Sequence, residues 1–200
     1  SEAGWPGTDV EVLSAEEVAE RLAVDGALGA TWQPHCATLH PAKLVRGLAT
    51  AAERLGVRIH EGTAVREIAP GVVRTDLGDV RAPAVIRATE GFTANLRGEH
   101  RTWLPMNSSM IVTEPLPADV WDRIGWARGD ALGDFAHVYM YAQRTADDRI
   151  AFGGRGVPYR YGSRVDTDGV TQERTIEALT GLLRSFFPAA AGAAVDHAWA

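Results

Sequence analysis

One stretch constrains the fold more than any other, Thr38 to Ala94. Pro41 stands in what reads as a first helical turn, where its missing N–H leaves nothing unsatisfied. Leu44, Leu48, Ala51, Ala52 and Leu55 recur at helical spacing and form one apolar stripe. Lys43, Arg46, Glu53 and Arg54 fall mostly off that stripe. Gly56 follows where a left-handed cap is expected, so the spacing predicts a helix over Pro41–Leu55. Val57 and Ile59 then alternate with Arg58 and His60, which predicts a strand over Val57–Glu61. Helix, glycine turn and strand together read as the second half of a βαβ unit. Short strands over Thr63–Ile68, Val72–Thr75 and Asp79–Ala82 are broken by Pro70-Gly71 and Leu77-Gly78, strong turn punctuation. The apolar run Ala84-Val85-Ile86 predicts a strand over Ala84–Ala88 buried on both faces. The turn Thr89-Glu90-Gly91-Phe92 closes the stretch.

The rest of the chain reads as a second layer. Ser1–Thr8 has no periodicity and is expected to be a loose terminus. Ser14 with Glu17 three residues on is a capping box for a short helix ending near Ala23. Two short strands are expected within Gly26–Thr38. Trp103–Thr113 is an extended run in which Met106, Ser108, Met110 and Val112 alternate with Asn107, Ser109 and Ile111. Ala118–Ile124 reads as a helix, and Phe135–Arg144 as a strand carrying Phe135, His137, Tyr139, Tyr141 and Gln143 on one face. Asp147-Asp148 turns the chain into Arg149–Gly154. A helix over Thr171–Phe187 uses Ile176, Leu179, Leu183 and Phe186 as its stripe, and a strand starts at Val195. The expected class is α+β, an antiparallel sheet with flanking helices beside a partial nucleotide-binding βα and β-meander unit. Expected boundaries are 1–40 and 97–200 for the antiparallel part and 41–96 for the partial unit.

Composition excludes some functions. The net charge of -6 argues against a nucleic-acid surface, which needs clustered positive charge. At 46% hydrophobic and 23% charged, the chain is of ordinary globular type. No run approaches the roughly 18 apolar residues of a membrane span. Cys36 is the single cysteine, so an internal disulfide and a cysteine-cluster metal site are excluded, and a cytoplasmic location is expected. His35, Cys36 and His40 cluster, but lack further ligands at metal-binding spacing; a loop or strand is the plainer reading, and no metal is expected. No Gly-x-Ser-x-Gly elbow occurs, and the six histidines are scattered.

The stretches HPAKLVRGLATAAERLGVRIHEGTAVREI and GDVRAPAVIRATEGFTANL resemble the FAD-dependent amine and D-amino acid oxidase family. Its members carry P-x-x-L-x-x-x-L-x-x-x-A-x-x-x-G-V, an E-x-T-x-V segment, a short meander and a strand ending in a small-residue turn. Those parts stand here in order. The resemblance implies FAD as cofactor and a small-molecule amine or amino acid as substrate. It further implies hydride transfer to flavin, an imine product and peroxide. Residues 1–40 and 97–200 would then belong to a substrate-binding domain, and 41–96 to an FAD-binding domain. The family's G-x-G-x-x-G phosphate loop is missing; Gly153-Gly154-Arg155-Gly156 has the wrong spacing. An internal fragment of a longer enzyme is therefore expected, inactive by itself.

By the same resemblance, Val65 matches the valine whose backbone meets the adenine. Ala88, Thr89 and Gly91 match the small-residue turn near the pyrophosphate, where absent side chains let backbone approach phosphate. Glu90 departs from that pattern, since a carboxylate repels phosphate. Tyr139 and Tyr141 would face the substrate and flavin ring. Arg155, which follows a turn expected at Gly153-Gly154, would pair with a substrate carboxylate through its planar fork, with Arg144 as runner-up. His137 reads as structural. The plain alternative for each is an ordinary packed or exposed residue. Two other functions fit the sequence. One is a non-catalytic α+β ligand-binding module. The other is a nicotinamide or other nucleotide enzyme with a similar βα unit.

Overall fold

The computed structural model describes residues 10–154, 159, 161–164 and 169–200. The expectation for Ser1–Thr8 lies outside the described residues. In chain order the elements are β1 (Glu11–Ser14), α1 (Ala15–Arg21), β2 (Gly29–Trp32), α2 (Pro41–Arg54), β3 (Val65–Ala69), β4 (Val72–Thr75) and β5 (Gly78–Arg81). A 3-10 turn over Glu90–Asn95 follows, then β6 (Ser109–Thr113), α3 (Ala118–Ile124), β7 (Ala131–Gly133), β8 (Met140–Arg144) and β9 (Ile150–Gly154). The last elements are α4 (Glu173–Phe186), a 3-10 turn over Pro188–Ala190, and β10 (Val195–Trp199). The chain thus mixes helices with antiparallel sheets, an α+β fold. It divides into two compact units.

The first unit comprises 10–38, 108–154 and 169–200. Its five-stranded sheet has the order β10-β6-β9-β8-β7. One face is apolar by alternation: Ile111 from β6, Met140 and Ala142 from β8, Ile150 and Phe152 from β9. Leu179 and Leu183 of α4 and Val120, Trp121 and Ile124 of α3 pack against it. Trp126 stacks on Phe187 at 5.3 Å between ring centroids and donates its indole N–H to the Asp130 carbonyl. The Ser14 capping box forms with both of its hydrogen bonds and starts α1. Gly125 ends α3 in the left-handed region at φ 70°. Within Gly26–Thr38 one strand forms instead of two, and β1, which alternation did not suggest, is its partner. The strand expected over Phe135–Arg144 is shorter. Asp134 accepts from the N–H groups of Ala136 and Met140, and this side-chain turn keeps Phe135 and His137 out of the ladder.

The second unit comprises 39–107 with 159 and 161–164. The three-stranded meander β3-β4-β5 forms much as the turn residues dictate, with Gly71 at φ 72° in the first turn. Helix α2 also forms, with the His40 ring accepting from the Lys43 N–H at its start and Gly56 at φ 89° after its end. Two expectations fail here. Val57–Glu61 and Ala84–Ala88 run without ladder partners, and Ile86 is 92% exposed rather than buried on both faces. A strand exists only through hydrogen bonds to a neighbour, and no described residues supply one. The apolar stripe of α2 is likewise uncovered, with Leu44, Leu48 and Leu55 all exposed. No helix among the described residues is long and apolar enough to cross a membrane.

Candidate functional site

The face of the five-stranded sheet opposite the core gathers side chains suited to holding a small organic molecule. Trp199 pairs with Met110, Met110 with Gly153, and Gly153 with Tyr141. Paired residues in antiparallel strands share a face, so these four form one row across β10, β6, β9 and β8. Tyr139 precedes Tyr141 by two positions, and their rings lie 6.2 Å apart at a 48° tilt. The Tyr141 hydroxyl is 2.5 Å from the Ser108 hydroxyl oxygen. At the far end of the row, His197 stacks on Trp199 at 5.8 Å.

Gly153 explains where the Tyr141 ring lies. A Cβ there would overlap the ring and come within 2.9 Å of Met110 Cγ. The ring therefore rests flat over backbone that carries no side chain. Gly154 plays the matching part on the core face, where a Cβ would stand 3.1 Å from Leu179. The sequence suggests a turn at this pair. Both glycines instead sit inside β9, buried and in register. The structure thus brings together Tyr139 and Tyr141 and adds Ser108, Met110, Gly153 and Trp199, which local patterning did not single out.

Arg155 lies outside the described residues. Its runner-up, Arg144, is committed elsewhere. Its guanidinium donates twice to Asp148 Oδ1, at 2.9 and 2.5 Å, and once to the Trp126 carbonyl at 3.1 Å. The same group lies 4.1 Å over the Trp121 ring. The hydrogen bond from Arg144, with Arg128 adding charge, holds the Asp148 carboxyl below the usual carboxylate range. Arg144 is a structural clamp at the hairpin, not a free cation. His137 sits in the β7–β8 turn, exposed.

The remaining singled-out residues lie in the second unit. Val65 opens β3, half-buried and paired with Thr75, just before a register shift in the ladder. Ala88 is exposed, and the Thr89 hydroxyl is 2.7 Å from that of Thr93. Gly91 donates its N–H to the Glu90 carboxylate at 2.6 Å. Glu90 itself holds φ 45°, unusual without glycine. An anion that reaches the Gly91 N–H must displace that carboxylate. In this conformation the turn does not fit a phosphate. Among the described residues, no group of three or more His, Cys, Asp or Glu is placed to hold a metal ion.

Comparison with known proteins identifies the family of the chain. Residues 2–200 match the model of the DAO family, described as FAD dependent oxidoreductase. The chain is 31% identical over 195 residues to gamma-glutamylputrescine oxidoreductase of Escherichia coli, an alignment covering 95% of this chain and 43% of that protein. It therefore spans less than half the length of that relative. Among solved structures it resembles L-proline dehydrogenase from P. horikoshii, with a TM-score of 0.75 at 18% identity over 96% of this chain and 52% of that one. It also resembles glycine oxidase from Geobacillus kaustophilus, with a TM-score of 0.73 at 21% identity over 96% and 50%. At such identities the structures report fold alone, and the family match over residues 2–200 carries the assignment. The chain belongs to the DAO family of FAD-dependent oxidoreductases.

Proposed function

We propose that the full protein oxidises an amine or amino acid with FAD, acting in the cytoplasm, and that this chain supplies mainly its substrate-binding portion. Residues 1–40 and 97–200 are assigned to substrate binding, and 41–96 to part of the FAD-binding domain. The observation that carries the reading is the row Trp199–Met110–Gly153–Tyr141 with Tyr139 beside it. Aromatic and thioether walls suit the apolar body of a small amine, and the tyrosine hydroxyls suit its polar end. Tyr139 and Tyr141 orient the substrate, and Arg155 receives a substrate carboxylate. FAD, when bound, would supply two-electron oxidation of an amine to an imine, with dioxygen as the final acceptor of those electrons and the source of peroxide. Val65, Ala88, Thr89 and Gly91 are assigned to its adenine and pyrophosphate ends, which requires Glu90 to leave the Gly91 N–H.

A second reading has one observation in its favour. The Glu90 carboxylate already occupies the Gly91 N–H, as suits a ligand-binding module that takes no phosphate. A visible absorption spectrum of the protein expressed from its complete gene decides between the two. Flavin bands that bleach when amines are added without oxygen support the oxidoreductase. A folded, colourless protein that takes up no added FAD overturns it and leaves the module.

A further inference from the structure

The second unit holds a cavity that none of the residues above explains. Its volume is about 380 Å³, and His100, Arg101, Trp103, Leu104, Tyr159 and Tyr161 line it. That volume is in the range of small-molecule sites, about 300–1,000 Å³. Trp103 is 58% exposed and Leu104 64%, so apolar surface stands open around the cavity. Clustered exposed apolar groups rimmed by polar ones mark binding surfaces.

Charge makes the cavity selective. Neighbouring arginines are spent: Arg87 pairs with Glu99 at 2.9 Å, and Arg97 with Glu67 at 3.3 Å. Glu99, the acid nearest in sequence, also accepts from the Thr102 hydroxyl. That hydrogen bond, with the one from Arg87, holds its carboxyl below the usual range. Arg101 makes no ion pair or hydrogen bond among the described residues, and none of the described residues that line the cavity carries a carboxylate. The Tyr159 hydroxyl accepts from the Ser163 N–H at 3.4 Å, which leaves its own proton free to donate. His100 Nδ1 lies 3.3 Å from the Ala94 carbonyl oxygen, which fixes the ring at the cavity wall. One free guanidinium fork and one phenol therefore stand against an indole and a leucine.

We propose that this cavity binds a small monocarboxylate with an aromatic or branched apolar body. The guanidinium of Arg101 takes the carboxylate, the Tyr159 hydroxyl adds a hydrogen bond, and Trp103 and Leu104 cover the body. The proposal does not rest on flavin chemistry. Its test therefore reads binding alone.

The probe is 4-fluorophenylacetate, titrated with the full chain and followed by fluorine NMR. The neutral analogue 2-(4-fluorophenyl)ethanol is titrated in parallel. Saturable binding of the acid is expected, with the alcohol binding more weakly. Losing a hydrogen bond to a charged group costs about 1.5–3 kcal/mol, so Arg101→Gln should weaken the acid about tenfold or more. Trp103→Ala should weaken both probes. Arg97→Gln, which removes an arginine outside the cavity, should leave the acid within about twofold of wild type, as expected for an exposed charge. Circular dichroism confirms that each variant folds. The proposal is overturned if the acid shows no saturable binding or if Arg101→Gln binds it like wild type. Equal losses from Arg97→Gln and Arg101→Gln also overturn it, because general surface charge then accounts for the effect.

Discussion

Helices α2 and α4 are each 14 residues long and equally amphipathic, yet they end in opposite environments. Leu179 and Leu183 of α4 are 1% and 2% exposed, whereas α2 buries no residue at all. The difference lies in what faces each stripe. Beneath α4 lies the alternating face of a sheet whose strands the chain itself provides. The extended segments that follow α2 find no ladder partners among the described residues. An apolar stripe therefore declares that a helix needs cover; it does not say whether the same chain carries that cover.

The contrast can be broken by paired truncations. Leu179→Ala should destabilise the chain by about 2–5 kcal/mol, the usual cost of emptying a packed leucine site. Leu48→Ala should fall within about 0.5 kcal/mol of wild type, as exposed substitutions do. Urea unfolding of both variants checks this, and a large Leu48 effect would show that α2 is covered after all.

A second pair sharpens the contrast at the backbone. Gly153→Ala forces the Tyr141 ring and Met110 aside, at a cost of about 1–3 kcal/mol. The same substitution should change the NMR shifts of the Tyr141 ring and, if the proposed function holds, raise KM for an amine in the complete protein. Glu90→Gly, in the exposed unit, should instead gain up to about 1 kcal/mol, because it relieves a left-handed conformation that side chains disfavour. Thermal unfolding reads that gain directly.

The smallest effect depends on pH. In the folded chain, the hydrogen bond from Arg144 first, with Arg128, lowers the carboxyl pKa of Asp148. A lowered folded pKa contributes stability that is present above the unfolded value and is lost as pH falls through the folded one. Asp148→Asn keeps the left-handed backbone at this position, φ 60°, which asparagine tolerates. The variant should therefore have a lower Tm than wild type at neutral pH. The gap should close below the ordinary carboxylate range, and a gap unchanged by acid would remove the ion pair from the account.

Local chemistry was legible in the sequence, and pairing between distant segments was not. The capping box at Ser14, the glycine after α2, and the meander turns at Pro70-Gly71 and Leu77-Gly78 follow from contacts a few residues apart. The strands expected at Val57–Glu61 and Ala84–Ala88 depended on distant partners, so apolar alternation alone overstated them. At the site, alternation placed Tyr139 and Tyr141 on one face. Their neighbours Met110 and Trp199 enter only through register with strands far away in sequence. Gly153 misled for a different reason. A glycine pair is turn punctuation, but here the missing side chains make room for a tyrosine ring and a helix.

The strand order β10-β6-β9-β8-β7 also sets a schedule for synthesis. The β8–β9 hairpin closes a short loop, while Met110 must wait for Trp199 before its second edge is filled. Most of the second unit is one continuous run, 39–107, and is complete on the ribosome long before that final strand emerges. Residues 10–38 wait longest, since Ala23 bonds to Ile124 and Asp25 to Phe186. Until translation reaches the last strand, the β6 edge is open to other chains, whereas the leucines of α2 are exposed before and after. The time between the synthesis of β6 and that of β10 is when the sheet is most open to mispairing.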